Sequence, residues 1–426
     1  MKHSILAICG FMFAAALTLI SCEKQSASDG DQQEPAAFED YTSLSSAGSA
    51  NCYLVSQGGQ YCFDATVMGK GEKTYSLAAP KSLEPSSAAL VWQTSKGMVT
   101  EVKYEEGLIG FTLSSTPGNA LIAALDTKGE IIWSWHIWYP EQQPSTIKTK
   151  TGYEILDMNL GAMNPTPFFA DGHYKAAVST YGMLYQWGRK DPFPASPTDY
   201  GDTQTVGAPL YDIEGKRVSI TNSSWTDLSS NTLSYSISHP TVCLSNYSQY
   251  STSRDWLASD LSNDALWGNP NGAKKDGSNA YPNKGEKSYY DPCPVGYRVP
   301  PCDVFRSFTV SGGYTESITD CDIVDINADG LLDSADWCLG WHINMSGAQS
   351  SYFPAAARYD GSYAMLMGSK SGLWGSYWGN APADSDYGKG LGYCVLAFQL
   401  EGSVMSASPS AAASRADAYS VRCIKE

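Results

Sequence analysis

The stretch IIWSWHIW, residues Ile131 to Trp138, consists almost entirely of β-branched and aromatic side chains. Residues of these two kinds fit the pleated, half-buried surface of a sheet, so the stretch predicts a strand. Similar short runs precede it and are separated by glycine-containing turns: Cys52–Val55, Gln60–Phe63, Ala88–Trp92, Leu108–Leu113 and Ala120–Ala124. Many short strands joined by such turns predict an N-terminal β-sandwich of the immunoglobulin-like class over residues 46–142.

The composition of the chain changes after this domain. Residues Pro140 to Lys150 are typical of a linker, and beyond Tyr153 long loops with scattered aromatic residues replace the regular runs. Residues 150–426 therefore predict a loop-rich α+β domain, which needs disulfides, metal ions or buried aromatic rings to hold it together. Residues 200–287, rich in Ser, Asn, Tyr and Asp, are interpreted as a variable insert in that domain.

The N-terminus, residues 1–22, has the features of an export signal. A positively charged start is followed by the apolar run Ile5–Ile20, and Leu19-Ile20-Ser21-Cys22 resembles the lipobox of bacterial lipoproteins. Under this interpretation Cys22 carries the lipid anchor, and the polar residues 23–45 form a flexible tether. The alternative is an ordinary secretory signal in which Cys22 is incidental. No other segment of the sequence is apolar enough to span a bilayer.

The charge balance limits the partners that the protein can have. The chain has 28 Lys and Arg against 44 Asp and Glu, a formal net charge of −16. Nucleic-acid binding requires a basic surface, so this balance argues against it. An acidic surface suits a solvated surface protein and tolerates divalent cations.

Cysteine usage fits an oxidising compartment. Removal of Cys9 with the signal and assignment of Cys22 to the lipid leave an odd number of cysteines: Cys52, Cys62, Cys243, Cys293, Cys302, Cys321, Cys338, Cys394 and Cys423. At least one of them should then be a free thiol or form an intermolecular bond. Cys52 and Cys62 flank a Gly-Gly turn, where a hairpin could bring them together, so both a disulfide and two unpaired thiols remain open.

The segment DINADGLLDSAD, Asp325 to Asp336, has the spacing of a calcium-binding loop. Positions 1, 3, 5, 7, 9 and 12 are Asp325, Asn327, Asp329, the carbonyl of Leu331, Asp333 and Asp336. Gly330 at position 6 permits the sharp turn, and Leu332 can anchor the loop to a core. Position 12 is Asp rather than Glu, which resembles a dockerin-type loop. The spacing predicts one calcium ion.

The role of this ion depends on the neighbouring cysteines. Cys321 and Cys338 bracket the loop, and a disulfide between them would close its base and make the calcium structural. One alternative is an acidic surface turn that binds no ion. Another is an ion with a free coordination site that bridges a glycan, as in calcium-dependent lectins. Because loops of this type usually saturate the ion from within, the structural role is preferred.

Aromatic side chains offer a second candidate site. Trp374, Tyr377 and Trp378 lie close together in the sequence and could form a stacking platform for sugar rings. The competing interpretation, which we favour, places these rings in the core. A ligand surface then belongs in the insert, residues 200–287, where loops are carried by a scaffold.

No motif of a known catalytic mechanism is present. The histidines show no HExxH spacing, and the chain lacks a G-x-S-x-G elbow, a P-loop and a dinucleotide fingerprint. His136 alternates with tryptophans in a predicted strand, so a hydrogen-bonded core histidine is expected there. We therefore expect a protein that is not an enzyme, although a carboxylate pair for glycoside hydrolysis leaves no motif to search for.

Five short motifs occur in an order that resembles the Fibrobacter succinogenes major paralogous domain family over residues 150–426. The motifs are Asp157–Ala162, Tyr181–Arg189, Asp291–Pro300, Phe353–Ala356 and Ser420–Cys423. Met158 departs from the family, which usually has Arg at this position. The N-terminal domain also resembles a β module of fimbrillin-like surface proteins of the Bacteroides group, through Asn51–Val55, Gly118–Ala123 and Ile132–Trp138.

These resemblances imply a lipid-anchored, surface-exposed protein of the outer membrane. The second domain would be similar to the C-type-lectin-like fold, in which Cys293 and Cys423 fall where a bridge closes the domain. The implied function is adhesion or binding of an unknown protein or glycan ligand, for example as a fimbrial tip or accessory subunit among pilus subunits. The alternative is a glycan-binding lipoprotein of a polysaccharide-uptake system. The fold analogy does not establish sugar binding.

Overall fold

The stretch IIWSWHIW forms a strand, and its tryptophans Trp133, Trp135 and Trp138 are fully buried. The structure is a computed structural model. It describes residues 37–74, 77–170, 173–199, 205–223, 229, 231–245, 254–258, 263–271, 284–313, 318–332, 334–382, 391–399, 404–406 and 412–426. Strands account for 35% of the chain and helices for 8%, so the protein is mainly β, as the sequence predicts.

The N-terminal part consists of strands joined by turns, without a helix among its described residues. Its strands are β1 (Thr42–Ser43), β2 (Cys52–Leu54), β3 (Gly59–Asp64), β4 (Ser87–Gln93), β5 (Val99–Glu105), β6 (Leu108–Leu113), β7 (Gly118–Leu125) and β8 (Ile131–Tyr139). Five of the six predicted runs coincide closely with strands β2, β3, β4, β6 and β7, and the sixth is β8. Runs of apolar and aromatic side chains decide these strands; β7 and β8 are buried on both faces, whereas β5 has several exposed positions.

The middle of the chain contains short strands and two short helices. The strands are β9 (Thr146–Lys148), β10 (Glu154–Leu156), β11 (Phe168–Ala170), β12 (His173–Ala176), β13 (Met183–Gln186), β14 (Phe193–Pro194), β15 (Leu210–Tyr211), β16 (Arg217–Val218), β17 (Thr221–Asn222), β18 (Val242–Cys243) and β19 (Tyr297–Arg298). The helices are α1 (Val178–Tyr181) and α2 (Leu233–Ser238). In the described residues, none of these elements is long enough to be stable without tertiary packing.

The C-terminal part adds strands and short 3-10 helices. Its strands are β20 (Gly340–Asn344), β21 (Ser350–Pro354), β22 (Tyr359–Asp360), β23 (Met365–Leu366), β24 (Trp374–Pro382), β25 (Leu391–Gln399), β26 (Val404–Ser406), β27 (Ala412–Ser414), β28 (Ala418–Ser420) and β29 (Ile424–Lys425). The 3-10 helices are Cys302–Phe308, Ile318–Asp320, Ser334–Asp336 and Gly368–Lys370.

Strands from distant parts of the sequence share sheets. Within the described residues, one sheet has the order β16-β15-β4-β7-β8-β2, so the short strands β15 and β16 of the insert extend the N-terminal sheet. A second has the order β1-β3-β6-β5, and a third has β19-β29-β10-β9. The largest has the path β14-β13-β28-β24-β25-β26, with β22, β23 and β27 attached to it.

A single large hydrophobic cluster joins residues from both predicted domains. It contains Phe63 and Trp135, whose ring centroids are 5.0 Å apart, together with Trp187, Trp378 and Cys423. Residues 37–426 form one compact unit. The division into domains at residues 142–150 therefore stays a prediction, and the core crosses that boundary.

The motifs that carry the family resemblance lie in the interior. Arg422 is 1% exposed, and its guanidinium donates to Asn159 Oδ1 at 2.8 Å, Ser351 Oγ at 2.9 Å and the carbonyl of Tyr352 at 2.7 Å. The same group lies 3.9 Å from the ring centroid of Phe353. Burial lowers the pKa of Arg422 to about 10, so it stays charged at neutral pH. These motif residues therefore act as scaffold.

In a second motif, the side chain of Gln186 connects distant segments of the chain by hydrogen bonds. Its side-chain amide donates to the carbonyls of Leu244 at 2.8 Å and Ala416 at 2.6 Å, and its oxygen accepts from Arg189 at 2.9 Å. Gly182, four residues before it, has φ +72°, and a Cβ there would lie 2.6 Å from the carbonyl oxygen of Leu160. Only glycine fits this turn.

Candidate functional site

The insert contains an open cleft of about 480 Å³. Its two walls are the extended segments 205–210 and 217–222, and its floor includes Tyr359, Ala364 and Met365. The cleft is therefore built by loops that rest on the buried sheet. The cleft lies in the region where the sequence predicts a ligand surface, and that prediction stays a prediction.

The cleft exists because two paired strands separate. Leu210 pairs with Val218 in the β15–β16 hairpin, and beyond this pair the two segments diverge. The first wall is held by Ala208, whose N–H donates to the carbonyl of Ala195 at 2.7 Å. The second wall is held by Thr221, whose N–H donates to the carbonyl of Thr241 at 3.0 Å. Each wall is thus attached to a different neighbour, which keeps the cleft open.

The walls combine aliphatic and polar residues. Val206 is 59% exposed, and it faces a lining that also includes Pro209, Val218 and Ile220. The one aromatic residue among the described lining residues is Tyr359, which is 2% exposed and donates its hydroxyl to the carbonyl of Pro194 at 3.0 Å. Burial holds the pKa of Tyr359 far above its usual range. Its ring thus forms the floor and offers no open face for stacking.

A cationic group lies at the rim of the cleft. Arg217 lines the cleft, and its guanidinium carbon is 5.4 Å from the ring centroid of Tyr211, while Lys96 Nζ is 4.8 Å from the same centroid. No carboxylate of the described residues lies within ion-pair distance of Arg217. Glu214, the nearest acid in sequence, is exposed, and Asp212 accepts the backbone N–H of Lys216 at 2.8 Å and so closes its own turn. Sequence reasoning missed this group, although Gly215 does signal the hairpin that carries it.

The acidic loop is folded around its own side chains. Asp325 Oδ2 accepts the N–H of Gly330 at 2.8 Å, and Asp336 Oδ1 accepts the N–H of Ile326 at 2.7 Å. Asp329 Oδ1 accepts the N–H of Leu331 at 2.8 Å. Gly330 has φ +81°, which a glycine adopts without strain. The first predicted ligand, Asp325, thus binds the middle of the loop, and the last one, Asp336, binds its beginning.

The loop fits a calcium ion in part. Asp325 Oδ1 is buried and has no hydrogen-bond partner, and Asp336 is 0% exposed. Leu332 packs against a hydrophobic cluster, as expected for the anchoring position. Asp333 lies outside the described residues, and among the described ones no three His, Cys, Asp or Glu side chains converge on a metal position. Calcium binding therefore stays a prediction.

The predicted stacking platform is largely buried. Tyr377 and Trp378 are both 0% exposed, and they donate hydrogen bonds to the carbonyls of Pro354 at 2.8 Å and Tyr185 at 2.7 Å. Trp374 is half-buried, with Lys370 Nζ 4.5 Å from its ring centroid. The rings of Tyr377 and Trp378 are not accessible to a sugar, which agrees with the core interpretation.

The cysteines differ in their bonding. Cys293 and Cys423 form a disulfide, as the family resemblance implies. Cys52 and Cys62 are not joined, because β2 and β3 belong to different sheets and the Gly-Gly segment connects those sheets instead of forming a hairpin.

The predicted bond between Cys321 and Cys338 is also not formed in this structure. Ile323 forms an isolated antiparallel β-bridge with Ile343. This pairing places Cys321 near Met345, which follows the C-terminal end of β20, whereas Cys338 precedes the N-terminal end of that strand. The Sγ of Cys338 donates to the carbonyl of Asp336 at 3.4 Å, and burial raises the pKa of Cys321 to about 12. The base of the acidic loop is thus closed without this disulfide, by the hydrogen bond from the N–H of Ile326 to Asp336.

His136 has the role expected of a core histidine. It is 1% exposed, its Nε2 lies 2.8 Å from Asn119 Oδ1, and its Nδ1 lies 3.3 Å from the hydroxyl of Tyr185. Burial lowers the pKa of His136 to about 3, so the ring is neutral at pH 7. With a neutral ring, Tyr185 donates to Nδ1 and Nε2 donates to Asn119.

Comparison with models of known protein families finds no match, and none is found among curated proteins or solved structures. The resemblance to the Fibrobacter family therefore stays a prediction. Cys22, the predicted lipid attachment site, lies outside the described residues. In the described parts of the chain, no helix has the length and apolar character required to cross a membrane.

Proposed function

We propose that this protein is a surface lipoprotein, attached to the outer membrane through Cys22, that acts in adhesion or ligand binding. The observation that carries the proposal is the insert cleft, an open volume of about 480 Å³ between two extended segments. Binding sites are commonly concave and placed on loops that a rigid scaffold positions. A position at the tip of a fimbria, or as an accessory subunit, is compatible with this role.

Two experiments test the anchor and the binding role separately. Cells that express the protein should incorporate labelled palmitate into it, and Cys22→Ser should abolish the label while Cys9→Ser should not.

The mature chain should bind a ligand in a peptide-display and glycan-array screen, and Val206→Trp should block that binding by filling the cleft. A screen in which Val206→Trp changes nothing would exclude the cleft as the site. Neighbouring pilin genes would favour a fimbrial role, and sugar-porin genes would favour polysaccharide uptake.

We also propose the finer fold assignment: an immunoglobulin-like sandwich followed by a C-type-lectin-like domain of the Fibrobacter family. Packing of Phe63 on β3 against Trp135 on β8 supports the sandwich, because the two rings belong to different sheets. The disulfide between Cys293 and Cys423 supports the second domain, because a bridge to a C-terminal cysteine is what the resemblance implies. An experimental structure of the mature chain with a different strand order would reject the assignment.

We propose further that the loop Asp325–Asp336 binds one calcium ion that stabilises the fold. The unpartnered Oδ1 of Asp325 supports this, because a buried carboxylate oxygen without a donor is costly unless a cation neutralises it. Ligand linkage predicts that calcium at a hundredfold excess over its Kd raises the unfolding free energy by about 2.7 kcal/mol. Chelation should therefore lower the Tm of the wild type.

The double variant Asp325→Ala, Asp329→Ala tests this proposal. It should show no effect of the chelator, whereas the control Glu130→Ala, Glu214→Ala should respond like the wild type, because both glutamates are exposed and lie outside the loop. A melting curve of the wild type that is unchanged by chelator would reject calcium binding.

A further inference from the structure

The cleft of the insert has features that select one class of ligand. We propose that it binds an extended peptide that carries an acidic side chain, with the carboxylate paired to Arg217. This inference rests on the proposed ligand-binding function and specifies its ligand. Three independent features of the cleft support it: the backbone of its walls, the chemistry of its lining and the charge at its rim.

The backbone of the walls offers hydrogen-bonding groups. Beyond the Leu210–Val218 pair the two segments no longer pair with each other. The backbone groups of Val206, Ser219 and Ile220 form no hydrogen bond to another described residue. An extended peptide placed between such segments continues the ladder of the hairpin and supplies partners for these groups. Main-chain bonds of this kind provide affinity in strand-addition complexes.

The lining favours a peptide over a glycan. Sugar rings are commonly recognised by stacking on exposed aromatic faces, and Tyr359, the aromatic ring of the described lining, is buried in the floor. The aliphatic wall residues, such as Val206 and Ile220, fit the aliphatic side chains of a strand, whereas the other exposed wall residues are polar. Tyr211, just outside the cleft, has its faces occupied by Lys96 and Arg217.

The charge at the rim selects an acidic side chain. Arg217 has no carboxylate partner among the described residues, and Lys96 contacts the same ring of Tyr211, so two cations are present at this point. The chain as a whole carries a formal charge of −16, which repels an acidic ligand over most of the surface. A local pair of cations is therefore where an acidic ligand is accepted, and a guanidinium can bind a carboxylate through two parallel hydrogen bonds.

The experiment uses a random heptapeptide display library selected on the immobilised mature chain. Peptides that carry Asp or Glu among aliphatic residues should be enriched. Their affinity should fall about tenfold to a hundredfold with Arg217→Glu, as expected for loss of a charge-assisted hydrogen bond. A second selection on Arg217→Glu should enrich Lys- or Arg-containing peptides instead.

Two matched controls separate the cleft from the surrounding surface. Lys216→Glu makes the same charge reversal one residue away, outside the lining, and should leave the preference acidic. Val206→Trp should abolish binding, whereas Ile213→Trp should not, because Ile213 is 40% exposed on the same hairpin and does not line the cleft. The circular dichroism spectrum and Tm of each variant show whether it is folded.

The outcomes distinguish the inference from the function on which it rests. Binding of a glycan that Val206→Trp blocks, without peptide enrichment, would overturn the inference and leave the proposed function standing. Enriched peptides that lack acidic residues would overturn the pairing with Arg217. No specific binding of any peptide or glycan would overturn both.

Discussion

Two arginines of this chain, Arg422 and Arg217, occupy opposite environments. Arg422 is 1% exposed and donates to Asn159, Ser351 and Tyr352 around it. Arg217 is exposed, and within the described part of the chain its side chain interacts with the ring and hydroxyl of Tyr211. A buried guanidinium with satisfied donors fixes the fold, and an exposed one without a carboxylate partner remains able to bind a ligand. The comparison teaches that the stability of this protein and its proposed binding function reside in separate regions.

The largest expected effect on stability is at the buried arginine, Arg422. Arg422→Met should lower the unfolding free energy by about 3–5 kcal/mol, because it leaves buried acceptors such as Asn159 Oδ1 without a donor. The matched change Arg217→Met should alter it by less than about 0.5 kcal/mol. Urea unfolding of both variants measures the difference. Equal losses for the two variants would break the comparison.

The disulfide is the next test. Cys293→Ala with Cys423→Ala should lower the unfolding free energy by about 2–5 kcal/mol, because the bond closes a loop across a sequence separation of 130. Dithiothreitol should lower the Tm of the wild type and leave that of the double variant unchanged. A double variant that still responds to the reductant would place the important bond elsewhere in the chain.

An effect that is smaller per pH unit should come from His136. The pKa of His136 is lowered to about 3 in the folded protein, against about 6.5 when the chain is unfolded, so the unfolded state binds one more proton between these values. Stability from this residue is fully present above pH 6.5 and is lost as the pH falls toward 3, by at most about 1.4 kcal/mol per pH unit. Urea unfolding at a series of pH values measures this loss. The plot of unfolding free energy against pH should have a shallower slope for His136→Gln than for the wild type. His239→Gln, on the half-buried end of α2, is the control, and a slope equal to that of His136→Gln would contradict the assignment.

The smallest expected effect is at the wall of the cleft. Val206→Trp should change the unfolding free energy by less than about 0.5 kcal/mol, because Val206 is 59% exposed and its replacement adds volume to open space. Leu210→Ala, at the closed end of the same wall and 2% exposed, should cost about 2–5 kcal/mol. Thermal unfolding of the two variants would sharpen the comparison within a single segment of six residues, 205–210. Similar losses at both positions would show that the wall is part of the core.

The sequence predicted the N-terminal strands well because the residue pattern that specifies each strand lies within the strand and its flanking turns. A run such as Leu108–Leu113 alternates its apolar side chains and ends at glycine turns, and such a pattern requires no knowledge of the strand that it pairs with. The order of the strands was not predictable, since β15 and β16 join the N-terminal sheet from more than eighty residues further along the chain than β7. Pairing over such distances depends on the folded chain as a whole.

The pairing of cysteines shows the same limit. The bond between Cys293 and Cys423 followed from a resemblance, whereas the proximity of Cys52 and Cys62 in the sequence suggested a bond that does not form. A turn that contains two glycines can reverse a strand or pass the chain to another sheet. Which of these occurs depends on the partners of each strand, and these partners are not local.

The sequence by itself determined the mainly β character, the strands of the N-terminal part and the spacing of the Asp325–Asp336 loop, because periodicity and turn residues are local properties. Only the tertiary structure decided that Tyr377 and Trp378 are core residues, and that segments 205–210 and 217–222 diverge to form a cleft beside Arg217. Burial and concavity arise from contacts between residues far apart in the chain. The same aromatic or arginine side chain can therefore serve the scaffold or the surface, and its neighbours in space decide which.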